Sequence, residues 1–350
     1  MVYGIIFDPE NLHGKHQLTE SKMSLLPLIT IILVIIELLY FRLANRYGIT
    51  DKPNDRSSHA AVTLRGGGVI FPVAALLYAC LAGVPASGMS GPAYPWFMAG
   101  LILISVVSFR DDIKPLSTKV RLGVQFLALS LIFHQLGLFA GSLWLVPVLL
   151  VLCAGIINAW NFMDGINGMT GGYSLVVLGT LAWVNHSGVP FVAPGMSGII
   201  LASLLVFNFF NFRTKAVCFA GDVGSVSIAC VILFVLGSVM LKTRDFSWIC
   251  FLAVYGVDSI MTILHRIVLR ENITKPHRKH LYQLLANELK IPHVYVSWIY
   301  ASLQFAIIIG YLLCRPVGVW MVWSYIGAVV FLLAGLYVVF KRKWFHLHRG

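Results

Sequence analysis

The sequence predicts an all-α, polytopic integral membrane protein of about eleven transmembrane helices, with an external N-terminus and a cytoplasmic C-terminus. Three observations predict it. Hydrophobic residues make up 58% of the 350 and charged residues 11%, with a mean hydropathy of +0.83, whereas a soluble domain carries about a quarter charged residues. Apolar runs long enough to cross a bilayer recur along the whole chain. Lys and Arg are also unevenly distributed. Numbering the loops alternately from an external N-terminus puts 21 of the 26 on one side, which the positive-inside rule assigns to the cytoplasm.

The spans follow from runs of roughly 20 mostly apolar residues. In order they centre on 24–43, 67–86, 95–109, 119–136, 142–158, 169–185, 196–212, 223–241, 246–268, 293–314 and 318–340. The external loops at 86–94, 137–141 and 186–195 and the turn at Arg315-Pro316 are short or bland. The cytoplasmic loops at 45–68, 110–118, 158–168, 213–222 and 270–292 hold almost every reactive side chain. Residues 1–22 are polar and lack the apolar stretch of a signal peptide. They are expected to be a disordered tail or the product of an upstream start, with residues 23–350 forming one transmembrane domain.

The six cysteines, at 80, 153, 218, 230, 250 and 314, show no CxxC spacing and read as small apolar packing residues. A net charge of +12 raises nucleic acid as a partner, but its one-sided loop distribution points to membrane topology instead. Lys341-Arg342-Lys343 reads as a topology anchor.

The richest segment is Asn158-Ala-Trp-Asn-Phe-Met-Asp-Gly-Ile-Asn-Gly-Met169, which sets one Asp and three Asn between apolar runs and breaks the backbone with glycines. Ionisable groups near hydrocarbon are expensive, so this composition suggests a polar site at a membrane edge. Glycine lets the backbone approach a ligand closely.

Four further segments share its face. Arg110-Asp111-Asp112 precedes Lys119 and Arg121 and suits a divalent cation or a phosphate. The alternative is a solvated helix end with Ser117 as N-cap. Phe219-Ala-Gly-Asp-Val-Gly-Ser225 places Asp222 between glycines entering a span. Helix N-terminal N–H groups favour an anion, and Asp222 would repel it unless a metal bridged them. The alternative is a capped glycine-rich turn. Pro276-His-Arg-Lys-His280 gathers cations that suit a pyrophosphate, or else bind anionic lipid. Asp51-Lys52-Pro and Arg65-Gly-Gly-Gly68 are likewise phosphate-friendly, or a flexible connector. Within spans, Asp258 reads as support for the site or as helix packing, and Glu37 is expected to snorkel or pair internally.

In this order, these segments resemble the polyprenyl-phosphate N-acetylhexosamine-1-phosphate transferases, a family that includes phospho-N-acetylmuramoyl-pentapeptide transferase and enzymes that start O-antigen and teichoic acid chains. The likeness runs from about Asp51 to Gln283. It rests on Asp51-Lys-Pro with Arg65-Gly-Gly-Gly, Asp111-Asp112, Asn161-Phe-Met-Asp-Gly-Ile-Asn-Gly168 and Ala220-Gly-Asp-Val-Gly-Ser225. Three places depart from the family pattern. Pro115 stands where a third acidic residue is common. Asn167 replaces the second Asp of Asp-Gly-x-Asp-Gly. Tyr282 and Gln283 stand where many members have His. The last region looks similar to members that start O-antigen repeats with sugars such as N-acetylfucosamine or N-acetylquinovosamine, and it argues against the peptidoglycan enzyme.

The resemblance implies Mg2+-dependent transfer of an N-acetylhexosamine-1-phosphate, GlcNAc or a modified sugar, from a UDP-sugar to undecaprenyl phosphate, with Mn2+ as a substitute ion. UMP leaves, and a lipid-linked polysaccharide begins on the cytoplasmic side of a bacterial inner membrane. Asp222 and Asp164 are expected to serve the metal, and Asp111, Asp112, Asp164 and His280 the chemistry. Lys52, Arg65, Lys119, Arg121, Asn158, Asn161, Asn167, Arg278 and Lys279 are expected to hold the substrates. The oligomeric state stays open, a homodimer included. The alternative classes are a transporter or channel for an anionic substrate and a non-catalytic lipid-binding protein. Transporters place ionisable residues near the midplane, whereas most acidic groups here cluster at one edge.

Overall fold

The structure is a computed structural model, and it describes residues 25–51, 62–83, 91–272, 277–344 and 346. Eleven helices of thirteen residues or more run through the described residues: α1 (Leu26–Tyr47), α2 (Ile70–Ala82), α3 (Pro95–Ile113), α4 (Thr118–Gln135), α5 (Leu145–Met163), α6 (Met169–Ser187), α7 (Pro194–Asn211), α8 (Gly221–Thr243), α9 (Ala253–Val268), α10 (His293–Cys314) and α11 (Val319–Trp344). Each lies on one of the eleven apolar runs. Among the described residues, seven segments are long and apolar enough to cross a membrane: α1, α5, α7, α8, α10, α11 and Phe246–Val268, in which a 3-10 turn leads into α9. The chain is a polytopic α-helical membrane protein.

Local chemistry explains the helix ends. Pro stands in the first turn of α1, α3 and α7, where its missing N–H costs nothing. Gly48 closes α1 in the left-handed region at φ 66°, its N–H returning to Ala44 and Asn45 carbonyls. Ser117 caps α4 by accepting from the Val120 N–H, as its position in the sequence suggests.

α8 is the axis of the bundle. Of its apolar window 78% is buried, against 22% for α5 and for α11. A helix apolar all round belongs in the interior, and one with an uncovered apolar face belongs against lipid. α8 packs on α3, α5, α6 and α2, while α11 lies outside on α9 and α10.

The fold departs from the all-α expectation at one place. Thr50–Asp51 and Thr63–Leu64 form a two-stranded antiparallel ribbon, and Leu64 bridges onward to Cys218. Of the two expectations for Glu37 the internal one holds: it is fully buried, and the Cys218 thiol donates to its Oε1 at 3.8 Å. Before α10, Leu281–Gln283 forms a helical turn that widens into the π-helical Leu284–Glu288.

Candidate active site

The ribbon delivers the glycine-rich segment onto the start of α8. Phe219 N–H donates to the Leu64 carbonyl (2.8 Å), Gly67 N–H to Phe219 (2.8 Å) and Gly68 N–H to Ala220 (3.1 Å). The two backbones come so close at Gly68 and Gly224 that a Cβ on Gly68 would lie 2.1 Å from the Gly224 Cα. Only glycine permits that approach. Gly221 has φ +70°, and a Cβ there would fall 2.7 Å from the Asp112 carboxylate.

The end of α3 completes the arrangement. Asp112 Oδ1 accepts from the Asp222 N–H (2.9 Å) and Arg65 Nε (2.7 Å), and Oδ2 from the Val223 N–H (3.0 Å). Its side chain has no exposure to solvent. Asp112 is therefore the cap of α8, supplied from another helix. Asp111 Oδ1 accepts from the Leu116 N–H and closes the 113–118 turn, while Oδ2 takes Arg121 Nη1 at 2.9 Å.

Asp222, in the first turn of α8, faces both arginines: Arg65 Nη2 at 3.4 Å and Arg121 Nη1 at 3.5 Å. Asn161 Nδ2 donates to Asp222 at 3.1 Å and to Ser225 Oγ at 3.0 Å. Three carboxylates thus sit interleaved with two guanidinium groups. The Asp222 side chain, at 19% exposure, is the most accessible of the three. A cleft opens onto this cluster between α3, α4, α5 and α8. Ile104, Val107, Val124 and Val226 give it an apolar wall, and Arg121, Asn161 and Asp222 a polar end.

Asp164 caps the C-terminus of α5 and is half-buried. Burial first, and then the charges of Asp222 and Asp112, push its carboxyl up to about 7. Oxygen-only donors of this charge suit a hard divalent cation, and a cation is the neighbour that would restore the ionised form of Asp164. The residues present therefore fit Mg2+. Among the described residues, no three His, Cys, Asp or Glu side chains already converge as a metal-binding set.

The other candidates divide. Asn158 pairs with Gln125, donating at 3.0 Å, and borders the cleft. Lys119 is exposed on the first turn of α4. Asn167 is not among the carboxylates. Its Nδ2 donates to the Arg213 and Thr214 carbonyls (2.9 and 3.2 Å), stapling two loops together. Lys279 gives its ammonium to Glu271, which also takes Arg266 Nε at 3.2 Å, so its charge is spent within the loop. Arg278 is half-buried. Lys52 lies outside the described residues.

His280 is buried, its Nδ1 3.3 Å from Asp258 Oδ1. Burial, and His280 beside it, push His277 down to about 3, so its ring is neutral near pH 7. Tyr282 and Gln283 do structural work: Tyr282 Oη donates to the Phe162 carbonyl (2.8 Å), and Gln283 Oε1 accepts from the His280 N–H (3.2 Å). Gln125 and Asn211 did not stand out in the sequence, and Ser225 stood in a quoted motif with no role of its own. Asn211 accepts from the Gly168 N–H and donates to the Cys218 carbonyl, 2.8 Å each. An amide at the end of an apolar run, just before Arg213, was the available signal for it.

Residues 94–240, which span α3 to α8, match glycosyl transferase family 4. A Bacillus subtilis (strain 168) protein named "Probable undecaprenyl-phosphate N-acetylglucosaminyl 1-phosphate transferase" is 29% identical over 263 residues, covering 70% of this chain and 71% of its own. A Yersinia pestis protein named "Undecaprenyl-phosphate alpha-N-acetylglucosaminyl 1-phosphate transferase" is 25% identical over 271 residues, with the same coverages of 70% and 71%. One of the same name from Escherichia coli (strain K12) is 28% identical over 300 residues, covering 74% and 75%. The matched segment carries Asp111, Asp112, Asp164 and Asp222, and together with these relatives it makes the chain similar to the polyprenyl-phosphate N-acetylhexosamine-1-phosphate transferases.

Proposed function

We propose that this protein transfers an N-acetylhexosamine-1-phosphate from a UDP-sugar to undecaprenyl phosphate at the cytoplasmic face of a bacterial inner membrane. The observation that carries the reading is the cluster of Asp111, Asp112 and Asp222 with Arg65 and Arg121 at the polar end of an apolar-walled cleft. A long prenyl chain stays in hydrocarbon along such a wall while its phosphate meets a water-soluble nucleotide at the polar end. On this reading all eleven helices cross the membrane, the N-terminus is external, and Lys341-Arg342-Lys343 lies on the cytoplasmic side. The relatives lend no support to transport.

Phosphoryl transfer is mostly positioning and charge neutralisation. A phosphate monoester has its second pKa near about 6, so the lipid phosphate is largely dianionic at neutral pH and attacks without a base. Its oxygen bonds to the sugar-bearing phosphorus, the bond from that phosphorus to the bridging oxygen breaks, and UMP departs with the electron pair. Arg65 and Arg121 neutralise the phosphates, Asn161 orients Asp222, and Asp112 fixes the helix start that carries it. Mg2+, held by Asp222 and Asp164, would supply further charge neutralisation at the diphosphate.

The product opens a lipid-linked envelope polysaccharide, and the Tyr282-Gln283 departure points to O-antigen-type chains with GlcNAc or a modified sugar. Incubating the purified protein with Mg2+, undecaprenyl phosphate and a panel of UDP-N-acetylhexosamines, with mass spectrometry of the lipid fraction, tests this. One mass gain of a sugar phosphate names the donor. An unchanged lipid with every sugar contradicts the reading.

A further inference from the structure

Asp258 stands on α9, away from the three clustered carboxylates, and is 4% exposed. A buried carboxylate is costly unless donors satisfy it, and here donors reach it from three directions. Its Oδ1 accepts from the Leu281 N–H (3.0 Å) and Thr262 Oγ1 (3.2 Å), and its Oδ2 from Tyr300 Oη (2.7 Å) and the Tyr282 N–H (3.4 Å). Its fifth neighbour is His280 Nδ1, at 3.3 Å from Oδ1. Four neutral donors hold Asp258 in place, and the imidazole is added to them.

The ring of His280 is fixed on its faces as well. His277 stacks at 5.1 Å between centroids and 28° between planes, and Tyr282 at 5.8 Å and 29°. Its other nitrogen, Nε2, is buried and meets no partner among the described residues. An unsatisfied buried polar atom is costly, a cost that a purely structural histidine has no reason to incur. The ring lies next to Phe162, at 6.4 Å between centroids. Phe162 follows Asn161, the residue that holds Asp222, and its carbonyl is tied to Tyr282. His280 therefore packs against the end of α5, the helix that carries Asn161 and is capped by Asp164, with one nitrogen engaged and one left for a ligand.

We propose that Asp258 is a positioning residue: it holds His280 through Nδ1, presents Nε2 to an anionic oxygen of the donor diphosphate, and stabilises the imidazolium formed there. Braced by Tyr300 and the 281–282 backbone, the carboxylate fixes the ring orientation before substrate arrives. Carboxylate–imidazole pairs work in this way elsewhere, the buried acid orienting the ring and supporting its charge. The inference rests on the transferase reading above.

The test is a double-mutant cycle on the full chain in detergent, following UMP release with undecaprenyl phosphate and the UDP-sugar that the wild type turns over. Asp258→Asn and His280→Asn should each lower kcat roughly 10- to 100-fold, the range for removing a partner that orients an imidazole. Asp258→Asn added to His280→Asn should cost less than about twofold more, because coupled residues are not additive. Asp258→Glu, which keeps the charge, should recover part of what Asp258→Asn loses. An equal loss from Asp258→Asn in both backgrounds, or Asp258→Glu below Asp258→Asn, would overturn the proposal and make Asp258 a packing residue. If Asp258→Asn fails to fold, Tyr300→Phe takes its place. It should give a smaller loss that vanishes beside His280→Asn, and a loss that persists there overturns the proposal. A wild type silent with every UDP-sugar would sink the transferase reading, and this proposal with it. An active wild type with an unaffected Asp258→Asn would sink the proposal alone.

Discussion

Asp112 caps the helix that carries Asp222: its two carboxylate oxygens accept the backbone N–H groups of Asp222 and Val223, at 2.9 and 3.0 Å. Adjacent acids at the end of α3 thus have different jobs. Asp112 is spent on backbone and Arg65, while Asp111 faces Arg121. Asp112→Ala should cost about 1–2 kcal/mol of stability, the range for losing a helix cap, and Asp112→Asn less, since one acceptor remains. Thermal unfolding in detergent checks this, and a wild-type midpoint for Asp112→Ala would contradict it.

The crossing of Gly68 over Gly224 is the tightest backbone approach behind the site. A Cβ on Gly68 meets backbone atoms, the Gly224 Cα at 2.1 Å and the Ala220 carbonyl oxygen at 2.9 Å, which cannot rotate away as a side chain can. Gly68→Ala should therefore destabilise by about 1–3 kcal/mol, as overpacking does, and lower turnover by moving Arg65. Gly83→Ala, with open space around its Cβ, serves as the control. Equal stability of the two variants would count against the close approach.

Asp164 gives a pH signature. Its folded carboxyl titrates near 7, above the ordinary 3.8, so its contribution to stability is greatest below pH 4 and is lost as pH rises through about 7. Asp164→Asn removes that dependence. In EDTA the variant should gain on the wild type as pH rises from 5 to 8, measured by thermal unfolding. A constant difference between the two across that range would mean that Asp164 ionises freely.

Metal removal separates folding from chemistry. Arg65 and Arg121 offset part of the charge of Asp111, Asp112 and Asp222, so on this account the ion serves the chemistry more than the fold. EDTA should abolish turnover while moving the unfolding midpoint little, and added Mg2+ should restore activity. Activity that survives EDTA would remove the metal role assigned to Asp222 and Asp164.

The helices were legible in the sequence because burial in a bilayer demands long apolar runs, and each of the eleven runs carries a helix. The carboxylates were legible because a polar group at a membrane edge stands out against apolar neighbours. What each one does was not legible. Asp111 and Asp112 are adjacent and chemically identical, and only the tertiary path of Gly221–Val223 past α3 decides which becomes a cap. Asn167 looked like a ligand because it follows Asp164-Gly165-Ile166, but its amide is consumed by the Arg213 and Thr214 carbonyls, contacts 46 and 47 residues away. The ribbon at Thr50–Asp51 and Thr63–Leu64 is two residues a side, too short for any periodicity to show. The Tyr282 and Gln283 departures became intelligible through packing. Tyr282 Oη reaches the Phe162 carbonyl, and a Cβ on Gly165 would fall 2.1 Å from that oxygen, so tyrosine fits here only under a glycine.

The most direct measurement is UMP release by the purified protein with Mg2+ and its UDP-sugar, with and without undecaprenyl phosphate, for the wild type and Asp222→Asn. UMP that appears only with the lipid acceptor, and falls at least roughly 100-fold in Asp222→Asn, is the predicted result for losing a preorganised charge at the reacting phosphate. UMP release without lipid, or an Asp222→Asn variant as active as the wild type, would contradict the assignment of the Asp111–Asp112–Asp222 cluster as the catalytic centre.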